Sequence, residues 1–168
     1  ACNHFSIGDL TDFETVYNFG KQVNVLTFEI ELVNVEALEK LESEGIKVYP
    51  SSETLRKIQN KGIQKDFYKS NKIPTADYER FSGKIALKVK VEKNQIQLPF
   101  VWKCTEFGYD GNGVKIIRKS SDLDSLPNVE CIAEEMIPFK KELAVIVCRN
   151  VSGEIKTYPV VEMEFQPA

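Results

Sequence analysis

The chain has a single histidine in 168 residues. His4 sits near one end, and no catalytic base is expected of it. Four cysteines are present, Cys2, Cys104, Cys131 and Cys148. None form a Cys-x-x-Cys pair, which argues against the common zinc and redox spacings. Cys104, Cys131 and Cys148 lie in apolar runs and read as buried, reduced thiols. No apolar run approaches membrane-spanning length, and no signal-peptide pattern is visible. Basic runs are missing and the formal net charge is −3. Neither nucleic acid nor a membrane is therefore expected as a partner. Internal repeats and low-complexity segments are absent as well.

What remains is the composition of an ordinary globular protein, 42% hydrophobic and 28% charged, long enough to bury a sizeable core. Val23–Ile30 reads as a buried strand. Asn34 then caps a helix carrying Val35, Leu38 and Leu41 at helical spacing, and Gly45 suits its C′ position. Ile46–Tyr49 is a second short strand, ended by Pro50. Strand–helix–strand suggests a parallel sheet whose first strand lies upstream of Ala1. Ser51 or Ser52 caps a further helix running to about Asn60. Ile63 and Phe67 mark the apolar face of another over Ile63–Ser70, which Ile73-Pro74 ends.

Beyond this point the pattern turns towards strands, which places a domain boundary near Pro74–Tyr78: residues 1–74, then 75–168. Ile85, Leu87, Val89 and Val91 alternate as in a strand. Ser82 as a cap, with Ile85, Ala86 and Val89 on one face, argues for a helix instead. Strands follow at Leu98–Cys104 and Val114–Ile117, a helical turn at Ser121–Leu126, and strands at Glu130–Glu134 and Glu142–Arg149. Ser152-Gly153 turns the chain into Glu154–Met163. The fold class is α/β at the front and antiparallel α+β behind.

Three features of the second half suggest a nucleotide. Lys103 ends a strand and precedes the glycine-spaced loop Gly108-Tyr109-Asp110-Gly111-Asn112-Gly113, after which an apolar run resumes at Val114. Glycines free backbone N–H groups to approach a polyphosphate, and the lysine supplies a point charge. Lysine before glycines is the reverse of a P-loop, and Gly-x-x-Gly-x-Gly is not a dinucleotide fingerprint. The segment Glu134-Glu135-Met136-Ile137 leaves a strand and can offer backbone groups to an adenine edge, with Ile137 against the ring. Glu142 can accept two ribose hydroxyls. Taken singly, each has an ordinary alternative: a turn, a snorkelling lysine, a solvated strand end.

In this order the set resembles the ATP-grasp superfamily, and most of all its 5-(carboxyamino)imidazole ribonucleotide synthase family. Further matches are Thr27-Phe-Glu-Ile-Glu31, Val48-Tyr-Pro-Ser-Ser-Glu-Thr-Leu-Arg56, Ile73-Pro-Thr-Ala76 and Tyr158-Pro-Val-Val-Glu162. The Gly-Tyr-Asp-Gly-x-Gly loop is the most specific. The resemblance implies part of a Rossmann-like pre-ATP-grasp domain followed by the first part of an ATP-grasp domain. It implies Lys61 and Lys103 on the ATP phosphates, residues 108–114 as the flap over them, Glu134–Ile137 as the adenine hinge and Glu142 on the ribose. Glu29 and Glu31 would lie near the imidazole ribonucleotide, although alternation does not let both face one pocket beside a core Ile30.

The implied reaction is ATP-dependent carboxylation of 5-aminoimidazole ribonucleotide with bicarbonate, in a cytoplasmic enzyme that is a homodimer at full length. Its Mg²⁺ ligands would lie downstream of Ala168, with no metal ligand in this chain; Glu162 and Glu164 share a strand face but are not assigned that role. The chain reads as an internal fragment, inactive by itself. Three positions depart from the family pattern. Phe107 stands at the first of two usual glycines, Asn112 replaces a Lys or Arg, and Phe165 a histidine. A formate-dependent transformylase or a biotin carboxylase type of ATP-grasp ligase is the alternative enzyme, and a non-catalytic nucleotide-binding fragment the alternative without chemistry.

Overall fold

The computed structural model describes residues 3–106 and 113–164. They fall into two compact units, divided between Met136 and Ile137.

The first unit opens with helix α1, Phe13–Gly20, whose N-cap Asp12 accepts from the Thr15 amide at 2.8 Å. Strand β1, Val25–Thr27, helix α2, Val35–Ser43, and strand β2, Lys47–Tyr49, follow. β1 and β2 pair in parallel, Leu26 opposite Val48, as the strand–helix–strand pattern predicts. Asn34 caps α2 through its side chain, and Gly45 beyond its end has φ 91°, a left-handed conformation open to glycine. Val16, Leu26, Leu38, Leu41, Val48 and Leu55 are buried together here. The strand expected over 23–30 is only three residues long. Residues 28–34 leave the ladder, and Ile30 is exposed instead of forming core.

Ser51 caps helix α3, Ser52–Gln59, and Asn60 caps helix α4, Lys61–Ser70. α4 does not bury the face that Ile63 and Phe67 suggest. Both are substantially exposed, and Gly62 and Lys65 are buried instead. A Cβ on Gly62 would stand 2.8 Å from Arg80 Nε, so glycine lets the helix approach that arginine.

Strand β3, Tyr78–Phe81, helix α5, Lys84–Glu92, strand β4, Phe100–Cys104, strand β5, Val114–Ile117, a 3-10 turn at Ser120–Ser125 and strand β6, Cys131–Glu135, complete the first unit. The four strands form one antiparallel sheet in the order β3-β6-β4-β5. One face of the sheet presents Phe81, Phe100, Trp102, Cys104, Ile117, Cys131 and Ala133 to Leu87 and Val91 of α5 and to Leu123 and Leu126. Residues 84–92 are thus helical, but the cap and the face differ from expectation. Gly83 precedes the helix without a side-chain cap, and Leu87 and Val91, an i,i+4 pair, go inward while Ile85 stays 68% exposed.

The second unit is all strand and turn. β7, Leu143–Ala144, pairs antiparallel with β10, Val161–Glu162; β8, Val147–Arg149, pairs antiparallel with β9, Ile155–Thr157. The turn at Ser152-Gly153 is as read from sequence, with Asn150 Oδ1 accepting from the Glu154 amide at 2.9 Å. The two long strands expected here are each broken. Between β9 and β10 stands Pro159, which has no N–H to donate to a ladder. Cys148, read as buried, is exposed; Cys104 and Cys131 are buried free thiols. Among the described residues no helix is long and apolar enough to cross a membrane.

Candidate functional site

The sheet face opposite the apolar core carries the charge. Alternation along β4 turns Phe100, Trp102 and Cys104 into the core and Val101 and Lys103 to the other side. Along β6, Glu134 shares that second side. It pairs with Val101, so Glu134 and Lys103 are diagonal neighbours on adjacent strands. Lys103 Nζ lies 2.5 Å from Glu134 Oε2. The other carboxylate oxygen of Glu134 accepts from Lys65 of α4. Lys65 and Glu134 are each only 7% exposed, whereas the Lys103 side chain is 29% exposed. Burial alone would push the Glu134 carboxyl up. The Lys103 and Lys65 ammonium groups outweigh it and hold the group below the ordinary carboxylate range.

Lys65 also donates to Thr75 Oγ1 at 2.5 Å and to the Ala76 carbonyl at 3.4 Å. Next to it, Asp66 accepts from the Tyr78 hydroxyl at 2.6 Å and from Arg80, which reaches Glu130 with its other nitrogen. Burial, and then the Asp66 carboxylate, push the Tyr78 phenol up to about 12. The helix is therefore fastened to β3 and β6 by charge, which explains why its polar side is the buried one.

Lys103 stands at the neck of the glycine loop. The Cys104 amide donates to the Gly113 carbonyl at 2.9 Å, and Lys103 pairs with Val114. The entry to the loop is braced. The buried Thr105 donates through N–H and Oγ1 to the Glu130 carbonyl and accepts from the Lys61 amide at 2.8 Å. Asn60 Nδ2 donates to Glu106 Oε1 at 3.0 Å. Lys61, at the first turn of α4, is thereby brought to the same stem as Lys103.

Of the other residues singled out from sequence, Phe107, Gly108, Tyr109, Asp110, Gly111, Asn112 and Phe165 lie outside the described residues. Glu135 is exposed, but its N–H is already taken by the Asp77 carbonyl at 2.8 Å. Met136 and Ile137 are exposed, on either side of the division between the units. Glu142, in the second unit, is exposed and its carbonyl accepts from the Met163 amide. Glu29 and Glu31 lie in the loop after β1, both exposed. Glu29 borders an apolar groove with Leu10, Phe19 and Phe28. Glu31 is not part of it, and its carbonyl accepts from Gln59. Glu162 accepts from Lys141 at 2.7 Å. Among the described residues no three His, Cys, Asp or Glu side chains are grouped to hold a metal ion.

Sequence reasoning missed Lys65, Thr75 and Asn60. For Asn60 a signal was available, since an asparagine followed by helical residues is a cap pattern. For Lys65 nothing in the spacing announces a buried ammonium group.

A fixed ammonium at a strand end, next to the neck of a glycine-spaced loop, is suited to an anion. The profile of the ATP-grasp domain matches residues 66–166, and that of the ribonucleotide synthetase pre-ATP-grasp domain matches residues 1–59. The chain belongs to the ATP-grasp family. It is 36% identical over 166 residues to the chloroplastic phosphoribosylaminoimidazole carboxylase of Vigna aconitifolia, covering 95% of this chain and 29% of that protein. With the N5-carboxyaminoimidazole ribonucleotide synthase of Synechocystis it shares 35% identity over 156 residues, 91% of this chain and 38% of that one. The crystal structure of the Aspergillus clavatus carboxyaminoimidazole ribonucleotide synthase with ATP superposes with a TM-score of 0.84 at 34% identity, over 95% of this chain and 42% of that one. A second crystal structure from that species, with ADP and 5-aminoimidazole ribonucleotide, gives 0.82 at 31% over the same shares. The ATP-grasp chain thus spans between about three tenths and about two fifths of the length of these relatives.

Proposed function

We propose that this chain supplies part of the nucleotide site of an ATP-dependent carboxylase acting on 5-aminoimidazole ribonucleotide. The observation that carries the reading is Lys103, held by Glu134 at the neck of the glycine loop. The likeness to synthases crystallised with ATP, and with ADP and 5-aminoimidazole ribonucleotide, supports it. In this reading Lys103 and Lys61 bind the phosphates, residues 108–114 cover them, Glu134–Ile137 line the adenine and Glu142 takes the ribose. Glu29 and Glu31 stand towards the ribonucleotide.

A bicarbonate oxygen attacks the γ-phosphorus and ADP leaves, giving carboxyphosphate. This breaks to CO₂ and phosphate; the exocyclic amine of 5-aminoimidazole ribonucleotide attacks the CO₂ and gives up a proton, which the released phosphate can take, to leave the carbamate. Phosphoryl transfer asks a protein chiefly for position and for positive charge where negative charge develops. Lys103 answers that need: it is held by an ion pair with Glu134, and its side chain is partly exposed. A glycine loop over the phosphates would keep water from the short-lived acyl phosphate. Mg²⁺ would neutralise phosphate charge when bound with the nucleotide, but the described residues do not fit it as a ligand set. The reading includes a cytoplasmic homodimer.

The test is ATP hydrolysis by the full-length protein. It should depend on 5-aminoimidazole ribonucleotide and bicarbonate, with formate inert. Hydrolysis driven by formate, or indifferent to the ribonucleotide, would overturn the assignment in favour of another ATP-grasp ligase.

A further inference from the structure

We propose that Lys65 is a positioning residue, fixing Glu134 and through it Lys103 for the phosphates of the nucleotide; this rests on the reading of Lys103 given above. An ammonium group has three protons. Lys65 directs its own at Glu134, Thr75 Oγ1 and the Ala76 carbonyl, so it has no donor left for a ligand. Lys103 is the opposite case, ion-paired with Glu134 among the described residues and with a partly exposed side chain. The carboxylate between them is a relay of position. With one oxygen tied to Lys65, the other stands at a set place, and the Lys103 ammonium is drawn to it.

Thermodynamics makes a purely stabilising role a poor explanation of the arrangement. Desolvating two charges costs about as much as their attraction returns, and apolar replacements of buried pairs are often neutral or better. α4 also has apolar side chains to offer, Ile63 and Phe67, yet it leaves both substantially exposed and turns Lys65 inward. The same contacts give a use to the Ile73-Pro-Thr-Ala76 segment, which otherwise has no part in the site. Its threonine hydroxyl and its alanine carbonyl are the remaining acceptors that hold Lys65 straight.

The experiment is calorimetric titration of the full-length protein with Mg-ATP, paired with thermal unfolding. Lys103→Met controls for the underlying reading: if it binds Mg-ATP as the parent does, the phosphate role of Lys103 fails, and with it the basis of the relay. If Lys103→Met weakens binding, Lys65→Met should raise the Kd by about tenfold, equivalent to about 1.4 kcal/mol. Lys65→Met/Glu134→Gln separates position from stability, because it removes both buried charges together. It should unfold closer to the parent temperature than Lys65→Met does, yet keep the raised Kd. Thr75→Val keeps shape, deletes one acceptor and should raise the Kd in the same direction. Parental affinity in the double variant, with Lys103→Met impaired, would overturn the proposal and leave Lys65 a structural residue. If neither Lys65 variant folds, Thr75→Val decides: parental affinity there overturns it too.

Discussion

Two lysines meet one carboxylate in this molecule, and their surroundings separate them. Lys65 is enclosed and fully bonded; Lys103 is tethered and partly open. Removing Lys103 deletes a charged donor towards an anion, a loss of about 1.5–3 kcal/mol for hydrogen bonds of this kind. Lys103→Met is therefore expected to weaken Mg-ATP by at least about tenfold, read by calorimetry, and to lower the unfolding temperature as well, because it strips the buried Glu134 carboxylate of one counter-charge. Glu134 makes a separate prediction about pH. Its folded-state pKa lies below the unfolded value of about 4.3. Its contribution is then whole above about pH 4.3 and is lost as pH falls through the folded pKa, when both lysines lose their counter-charge. Urea denaturation between about pH 6 and pH 3 should cost the parent more stability than Lys65→Met/Glu134→Gln. Equal losses would show that Glu134 is not the group titrating.

Elements were legible where the information is local. Asn34, Gly45, Ser51 and Gly153 each act within a few residues of chain, and the structure uses all four as caps or turns. Element ends and faces were not legible where a distant partner decides. Alternation at 85–91 looks like a strand, but the sheet accepts only Leu87 and Val91, one helical turn apart. The Ile63 and Phe67 stripe looked like core, and a carboxylate on β6 reversed the helix. Leu87→Ala should therefore destabilise by about 2–5 kcal/mol, and Ile85→Ala by less than about 0.5 kcal/mol. Chemical denaturation of the two variants compares them directly, and similar costs would mean that α5 packs by its other face. Asn60 is the second test at this scale. It accepts from the Ile63 amide at 3.0 Å, donates to Glu106 at the loop stem and is buried. Asn60→Ala should cost about 1–3 kcal/mol, since it removes a cap and leaves Glu106 without that donor. A cost within error of zero would show that the stem is not braced there.

At the scale of the whole molecule, burial is distributed very unevenly. Every buried apolar side chain among the described residues lies between Val16 and Ala133, and none of residues 137–164 is buried. Their strands instead expose Leu143, Val147, Ile155 and Val161. Hydrophobic burial is the main favourable term in folding, so cooperative unfolding of this chain belongs to the first unit. The residues proposed above for the nucleotide are divided differently, since Ile137 and Glu142 belong to the second unit. Ending the chain after Met136 should accordingly leave the thermal midpoint within about 3 °C, given that a change of 1 kcal/mol shifts domains of this size by a few degrees. It should also lower the binding of a dye such as ANS, by removing exposed apolar strands. A midpoint lower by more than about 8 °C would correspond to several kcal/mol. It would mean that the strands after Met136 stabilise the first unit by a route that side-chain burial does not report.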